Sequence, residues 1–156
     1  MTGTWRGSYI LLISLSQEST IKAGSLPPSY FPAASYAYVG SAMGGFKARL
    51  ARHLRAEKRR HWHVDYLLER AGITGLILCQ TEARVECAIA RTLSGQFTSV
   101  PGFGSSDCRC PSHLFLSTDG RGLEQAVLAA ANSLPVAKRI HRLRVRTANQ
   151  TPGSLL

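Results

Sequence analysis

Six side chains in this sequence have the types and spacing to act on a phosphodiester. Arg49 and His53 stand one helical turn apart in "KARLARHL" (Lys47–Leu54), which puts both on one helix face, with Arg52 beside them. Tyr9 and Tyr38 sit in two β-like runs, "GSYILLISL" and "YAYVGS", that could be neighbouring strands. Glu86 follows downstream. Hydrolysing a phosphodiester takes a group to activate water, positive charge for the phosphorane-like transition state, and usually a metal held by a carboxylate. All of those types are present. Each residue also has a plainer reading, because strand tyrosines belong mostly to cores and helix arginines mostly to solvated faces.

A second group suits a soft metal. Cys108, Cys110 and His113 in "CRCPSH" form a half-site, and His61 and His63 of "HWHVD" could complete it from the start of a neighbouring helix, since zinc favours four N/S ligands. Two other readings stay open for His61, His63 and Asp65. They could wall the pocket of the first group with Trp62, or form a hydrogen-bonded cluster that orders the glycine-rich loop "PGFGSSDCRCPS". Cys79 and Cys87 read as buried thiols on a strand and a helix. The run from Lys47 to Arg60 is a third feature. Lys47, Arg52, Arg55, Lys58, Arg59 and Arg60 could line a phosphate-binding surface, offset there only by Glu57. An ordinary solvated face is the alternative.

The elements that must position these groups follow from periodicity. "GSYILLISL" reads as a buried strand with "STIKAGSL" as its partner, and "PPSYFPAAS" as a loop too rich in proline for regular structure. After the strand "YAYVGS", Gly44 and Gly45 precede a helix over "FKARLARHLRAEKRR", whose apolar stripe is Phe46, Leu50 and Leu54. "HVDYLLERA" predicts a second helix, ended by Gly72. "ITGLILC" is a core strand. "TEARVECAIARTLSGQF" is a helix capped by Thr81, with Val85, Ala88, Ile89 and Leu93 inward. "HLFLS" is a last strand and "GLEQAVLAAANSL" a closing helix. The order β-β-β-α-α-β-α-β-α predicts one small α+β domain over residues 3–134 with an antiparallel sheet flanked by helices. A basic tail over 135–156 follows, expected to be disordered.

At 156 residues with 44% hydrophobic content, the chain is long enough for one core. Nineteen Lys and Arg against nine Asp and Glu leave a net charge of +10, which points to a polyanionic partner, most simply nucleic acid. The apolar run near the start, Tyr9–Leu15, has no signal-peptide character, and no stretch approaches the ~18–20 apolar residues of a membrane span. The expected location is the cytoplasm, where cysteines serve as thiols or metal ligands rather than disulfides.

"GSY" (Gly7–Tyr9), "YVG" (Tyr38–Gly40) and "KARLARHL" together resemble the GIY-YIG endonuclease superfamily, and "ECAIARTL" looks like that family's metal-binding glutamate helix. "YVGSAMGGFKARLARHLR", "HWHVDYLL" and "GFGSSDCRCPSHLF" are similar to a compact branch of it, long classed as a domain of unknown function and sometimes fused to endonuclease III-like glycosylases. The resemblance runs from about Gly3 to Leu116. It implies a metal-dependent endonuclease acting on DNA, with repair as one setting. Tyr9 and Tyr38 would be the two motif tyrosines, one of them helping to activate or orient water. Arg49 would contact the scissile phosphate, His53 would assist proton transfer, and Glu86 would hold one Mg2+ or Mn2+. The chain departs from the pattern in four places. Ser8 stands where isoleucine is usual, a loop is inserted around Pro27–Ala34, and one extra residue separates Tyr38 from Arg49. The family's late asparagine has no clear counterpart, although Asp107 is nearby. The alternative expectation is a nucleic-acid-binding module that keeps this fold, zinc-stabilised, without cutting.

Overall fold

The computed structural model describes residues 5–145. Its centre is three long strands, β1 (Gly7–Leu15), β4 (Ala34–Ala42) and β5 (Gly72–Gln80), with β1 in the middle and antiparallel to both neighbours. β7 (Leu114–Ser117) and the short β6 (Thr98–Ser99) extend the sheet beyond β4, and β8 (Arg139–Arg144) extends it beyond β5. All six pair antiparallel, giving the order β6-β7-β4-β1-β5-β8. The fold is the expected α+β domain.

Side chains alternate across the strands, and both sheet faces are covered. Tyr9, Leu11 and Ile13 of β1, with Tyr36 and Tyr38 of β4, pack beneath α1 (Phe46–Leu54) and α2 (His63–Leu68). Ile10 and Leu12, with Ala37 and Val39, pack beneath α3 (Glu86–Ser94) and α4 (Gly120–Asn132). Burial on both faces explains why β1 is a nearly continuous apolar run.

Several expectations are corrected. Ser19–Ile21 (β2) pairs not with β1 but with β3 (Ser29–Phe31), inside the proline-rich stretch expected to be a loop. The prolines flank β3, and Phe31 anchors it in the core. α1 stops at Leu54 rather than running to Arg60, because Arg55 turns extended (φ −70°, ψ 136°) and Lys58 Nζ caps the carbonyls of His53 and Arg55 at 3.1 and 2.6 Å. Continuing the helix would have stacked like charges three and four residues apart. Its buried stripe is Phe46, Leu50 and His53, while Leu54 is 46% exposed. α3 begins at Glu86, since Thr81 Oγ1 bonds the Ala83 amide and the Ala137 carbonyl and so closes a turn instead of capping a helix. Residues 139–144, expected in the disordered tail, form β8, whose arginines suit an exposed sheet edge. Residues 146–156 of that tail lie outside the described residues.

Candidate functional site

Adjacent residues at the start of β1 reach opposite sides of the sheet, so that one end of it draws on both helix layers. Tyr9 points to the α1 side and Ser8 to the α3 side. Tyr9 faces Gly40 across the β1–β4 ladder, and its ring fills the space a side chain there would need. A Cβ on Gly40 would lie 2.4 Å from Tyr9 Cζ and Oη. The glycine of "YVG" is thus required by the tyrosine of "GSY". Tyr9 Oη lies 2.7 Å from His53 Nε2, and the Tyr38 ring stands 6.5 Å from Tyr9 and edge-on to His53 at 6.4 Å.

This cluster is buried. Tyr9 is 1% exposed and His53 2%, and His53 Nδ1 has no hydrogen-bond partner among the described residues. Burial pushes the Tyr9 phenol up to about 12, opposed by the nearby Arg49 cation. Burial raises Tyr38 further, and the neighbouring Tyr9 adds to the rise. Burial also pushes His53 down to about 4, against the pull of Asp65 and with the help of Arg49 and Arg52. At neutral pH the group is two phenols and a neutral imidazole.

Arg49 and Arg52 both stack on Trp62, their guanidinium carbons 4.5 and 4.3 Å from its ring centre. Arg49 also donates to the Ser41 carbonyl at 2.6 Å. Arg52 makes a two-pronged pair with the Asp65 carboxylate at 3.0 and 2.9 Å. Asp65 accepts from the His61 and Trp62 amides as well. Burial raises its carboxyl, but the Arg52 and amide bonds outweigh burial and hold it below the usual carboxylate value.

Across the sheet, Ser8 Oγ donates to Glu86 Oε2 at 3.1 Å from the first turn of α3. Tyr9, Tyr38, Arg49 and Glu86 all line one cleft of about 360 Å³, joined by Arg84 and Asp107. The structure therefore gathers Tyr9, Tyr38, Arg49 and Glu86, which the sequence holds apart, into one cleft; His53 stands behind Tyr9 rather than on the wall. Ser8, which stands where isoleucine is usual in the family it resembles, is a Glu86 partner. Arg84, not singled out from the sequence, adds a second cation to the cleft, and its place two residues before Glu86 was the available signal.

The metal-ligand group differs from the expected one. Cys87, Cys108, Cys110 and His113 bring their ligand atoms within 4.8 Å of one another and could hold a metal ion. Cys87 had been read as a plain buried thiol. Burial, and then the neighbouring Cys110 and Cys108, push it up to about 12. His61 and His63 lie outside the cluster. His61 lines the cleft and stands edge-on to Trp62 at 4.8 Å. His63 Nδ1 accepts the Gly104 amide at 2.8 Å, which orders the glycine loop, one of the three roles weighed for it. Gly104 itself (φ +71°) presses on Tyr38, leaving no room for a Cβ, which would fall 2.8 Å from the Tyr38 ring.

The basic residues divide. Arg52 and Arg60 are paired with Asp65 and Glu69, and Lys58 caps α1. Lys47, Arg55 and Arg59 are exposed and carry no ion pair among the described residues. No helix among the described residues is long and apolar enough to cross a membrane.

Fold and site together define a small α+β domain with an arginine- and tyrosine-lined cleft at one sheet end and a Cys3His cluster on its wall. The chain belongs to the family described as "Domain of unknown function DUF123", which matches residues 8–136. No curated protein and no solved structure matches it.

Proposed function

We propose that this protein is a metal-dependent endonuclease of the GIY-YIG type that hydrolyses DNA phosphodiester bonds, with repair as its setting and the cytoplasm as its location. The observation that carries the reading is the meeting of Tyr9, Tyr38, Arg49 and Glu86 in one cleft, from β1, β4, α1 and α3. In this reading Arg49 and Arg84 receive the phosphate. With Tyr9 near 12 and His53 near 4, neither is a ready base in the free protein. The Tyr9 hydroxyl instead orients the attacking water by hydrogen bonding, backed by His53.

Glu86 fits a hard divalent ion: it is a cleft-facing carboxylate fixed by Ser8, with Asp107 the other acid lining the space. Magnesium and manganese commonly bind through one or two carboxylates, with waters and substrate phosphate completing the shell. When bound, such an ion would supply Lewis-acid stabilisation of the transition-state charge. The Cys3His cluster suits zinc, whose soft thiolate and imidazole preference its donors match.

The test is cleavage of branched, flapped and damaged DNA across a metal panel. Arg49→Ala should lose on the order of 10²–10³-fold in rate, and Glu86→Ala should abolish metal-dependent cutting. Unaltered cleavage by both variants, in protein free of contaminating nuclease, sinks the reading. A binding-only module is favoured by one observation, the exposure of Lys47, Arg55 and Arg59. It predicts salt-sensitive DNA affinity with no turnover under any metal.

A further inference from the structure

The Cys87, Cys108, Cys110 and His113 cluster is built from two separate pieces of chain. Cys87 is in the first turn of α3, while Cys108, Cys110 and His113 share the loop between β6 and β7, with His113 immediately before β7. The distances are close to those a tetrahedral ion imposes. Zinc–sulfur bonds near 2.3 Å and zinc–nitrogen bonds near 2.0 Å set neighbouring sulfur and nitrogen donors roughly 3.5 Å apart. His113 Nε2 lies 3.4 Å from Cys108 Sγ and 3.9 Å from Cys87 Sγ.

The histidine is already turned for ligation. Its Nδ1 is 3.0 Å from the Val39 carbonyl, which can only accept, so Nδ1 carries the proton and Nε2 presents a lone pair to the thiols. His113 is buried, and the Val39 amide donates back to the His113 carbonyl at 2.9 Å. Four protein donors fill a tetrahedral shell and leave no open position for substrate or water, the arrangement of a structural rather than a catalytic zinc.

What such an ion would hold is the cleft itself. Cys87 follows Glu86 directly. Val39, gripped by His113, lies between Tyr38 and Gly40. The loop carrying Cys108 also carries Gly104, which abuts Tyr38 and is bonded by His63, and Asp107, which lines the same cleft. We propose that Cys87, Cys108, Cys110 and His113 form a closed zinc centre that staples the start of α3 and the cysteine loop to β4, and thereby fixes Glu86 opposite Tyr38. The proposal rests on the zinc reading above and does not depend on whether the cleft cuts DNA.

The test uses the full chain, purified under reducing conditions without added metal. Elemental analysis should find one zinc per chain. Replacement by Co2+ should give the intense visible bands and thiolate charge-transfer absorption of a tetrahedral sulfur-rich site. Cys110→Ser should weaken zinc retention while Cys79→Ala, outside the cluster, keeps it. Chelating zinc from the wild-type chain avoids any folding defect of a variant. Amide hydrogen exchange at Val39–Gly40, Phe103–Ser105 and the first turn of α3 should then quicken about tenfold or more, with the β1–β5 ladder unchanged. Absence of zinc and of the cobalt spectrum overturns both the zinc reading and the staple. Stoichiometric zinc whose removal leaves those amides unchanged overturns the staple alone.

Discussion

The cleft has a buried histidine on each flank, and the two are satisfied in opposite ways. His113 uses both ring nitrogens, one on the Val39 carbonyl and the other facing two thiols. His53 uses one, on Tyr9, and leaves Nδ1 buried without a partner among the described residues. An unpaired buried nitrogen costs about 1–3 kcal/mol, so the His53 side keeps a cost that the His113 side avoids. The surroundings differ in the same sense. Near His53 the charges belong to the protein: Arg49, Arg52 and the Asp65 carboxylate. Around His113 the near partners are thiols, a set that could hold a cation from outside. One flank suits holding and orienting protons, the other suits holding a metal.

The largest expected effect breaks the support of the His53 flank. Arg52→Met would leave Asp65, whose side chain is 1% exposed, as a buried carboxylate without its cation. Removing one partner of such a pair costs about 3–5 kcal/mol, read as a lower urea midpoint at neutral pH. A variant of unchanged stability but weaker DNA affinity would return Arg52 to the phosphate-binding surface expected of it from the sequence.

A smaller effect follows from His53 itself. Its folded value, about 4, lies below the ordinary imidazole value of 6.5, so the unfolded chain binds its proton first. Stability is unaffected by this group above pH 6.5 and falls as pH drops from there toward 4. The loss by pH 4 is about 3 kcal/mol. His53→Gln, which can still hydrogen-bond Tyr9, removes this contribution, so the wild-type-minus-variant stability difference should fall by about 3 kcal/mol over that window. A difference curve that stays level between pH 7 and 4 would show that His53 takes up its proton without opposition, and the contrast with His113 would lose its electrostatic half.

How much of this was legible in the sequence depends on how local the signal was. The three central strands were readable as short, nearly continuous apolar runs, and the start of α1 and nearly all of α4 from their 3.6-residue period. Arg49 and His53 were readable as a pair from one helical turn. Cys87 was not, because its partners lie beyond α3, and a half-buried thiol on a helix gives no hint of a site assembled by folding. His63 stayed open among three roles for the complementary reason. His-x-His spacing suggests a ligand pair, but a backbone amide from the distant glycine loop claimed the nitrogen first. β8 escaped notice because an edge strand rich in arginine has polar residues on both faces and no burial pattern. The Lys47–Arg60 run was over-read as one helix because charge alone does not show where carbonyls will be capped.

The smallest effect sharpens the comparison at the one place where the His53 flank is limited by shape. Gly40 has no positive φ, so its requirement is spatial: the Tyr9 ring occupies the place of its Cβ. Gly40→Ala should therefore act as overpacking, costing about 1–3 kcal/mol and shifting the Tyr9 ring away from His53. Tyr9→Leu would remove the ring atoms that clash, so the double variant should lose less than the sum of the two single changes. The coupling in that double-mutant cycle should favour the pair. Additive costs would mean that β4, rather than Tyr9, yields to the new methyl group. In that event the 2.7 Å Tyr9–His53 contact would survive Gly40→Ala, and the second motif's glycine would be serving the strand rather than the tyrosine.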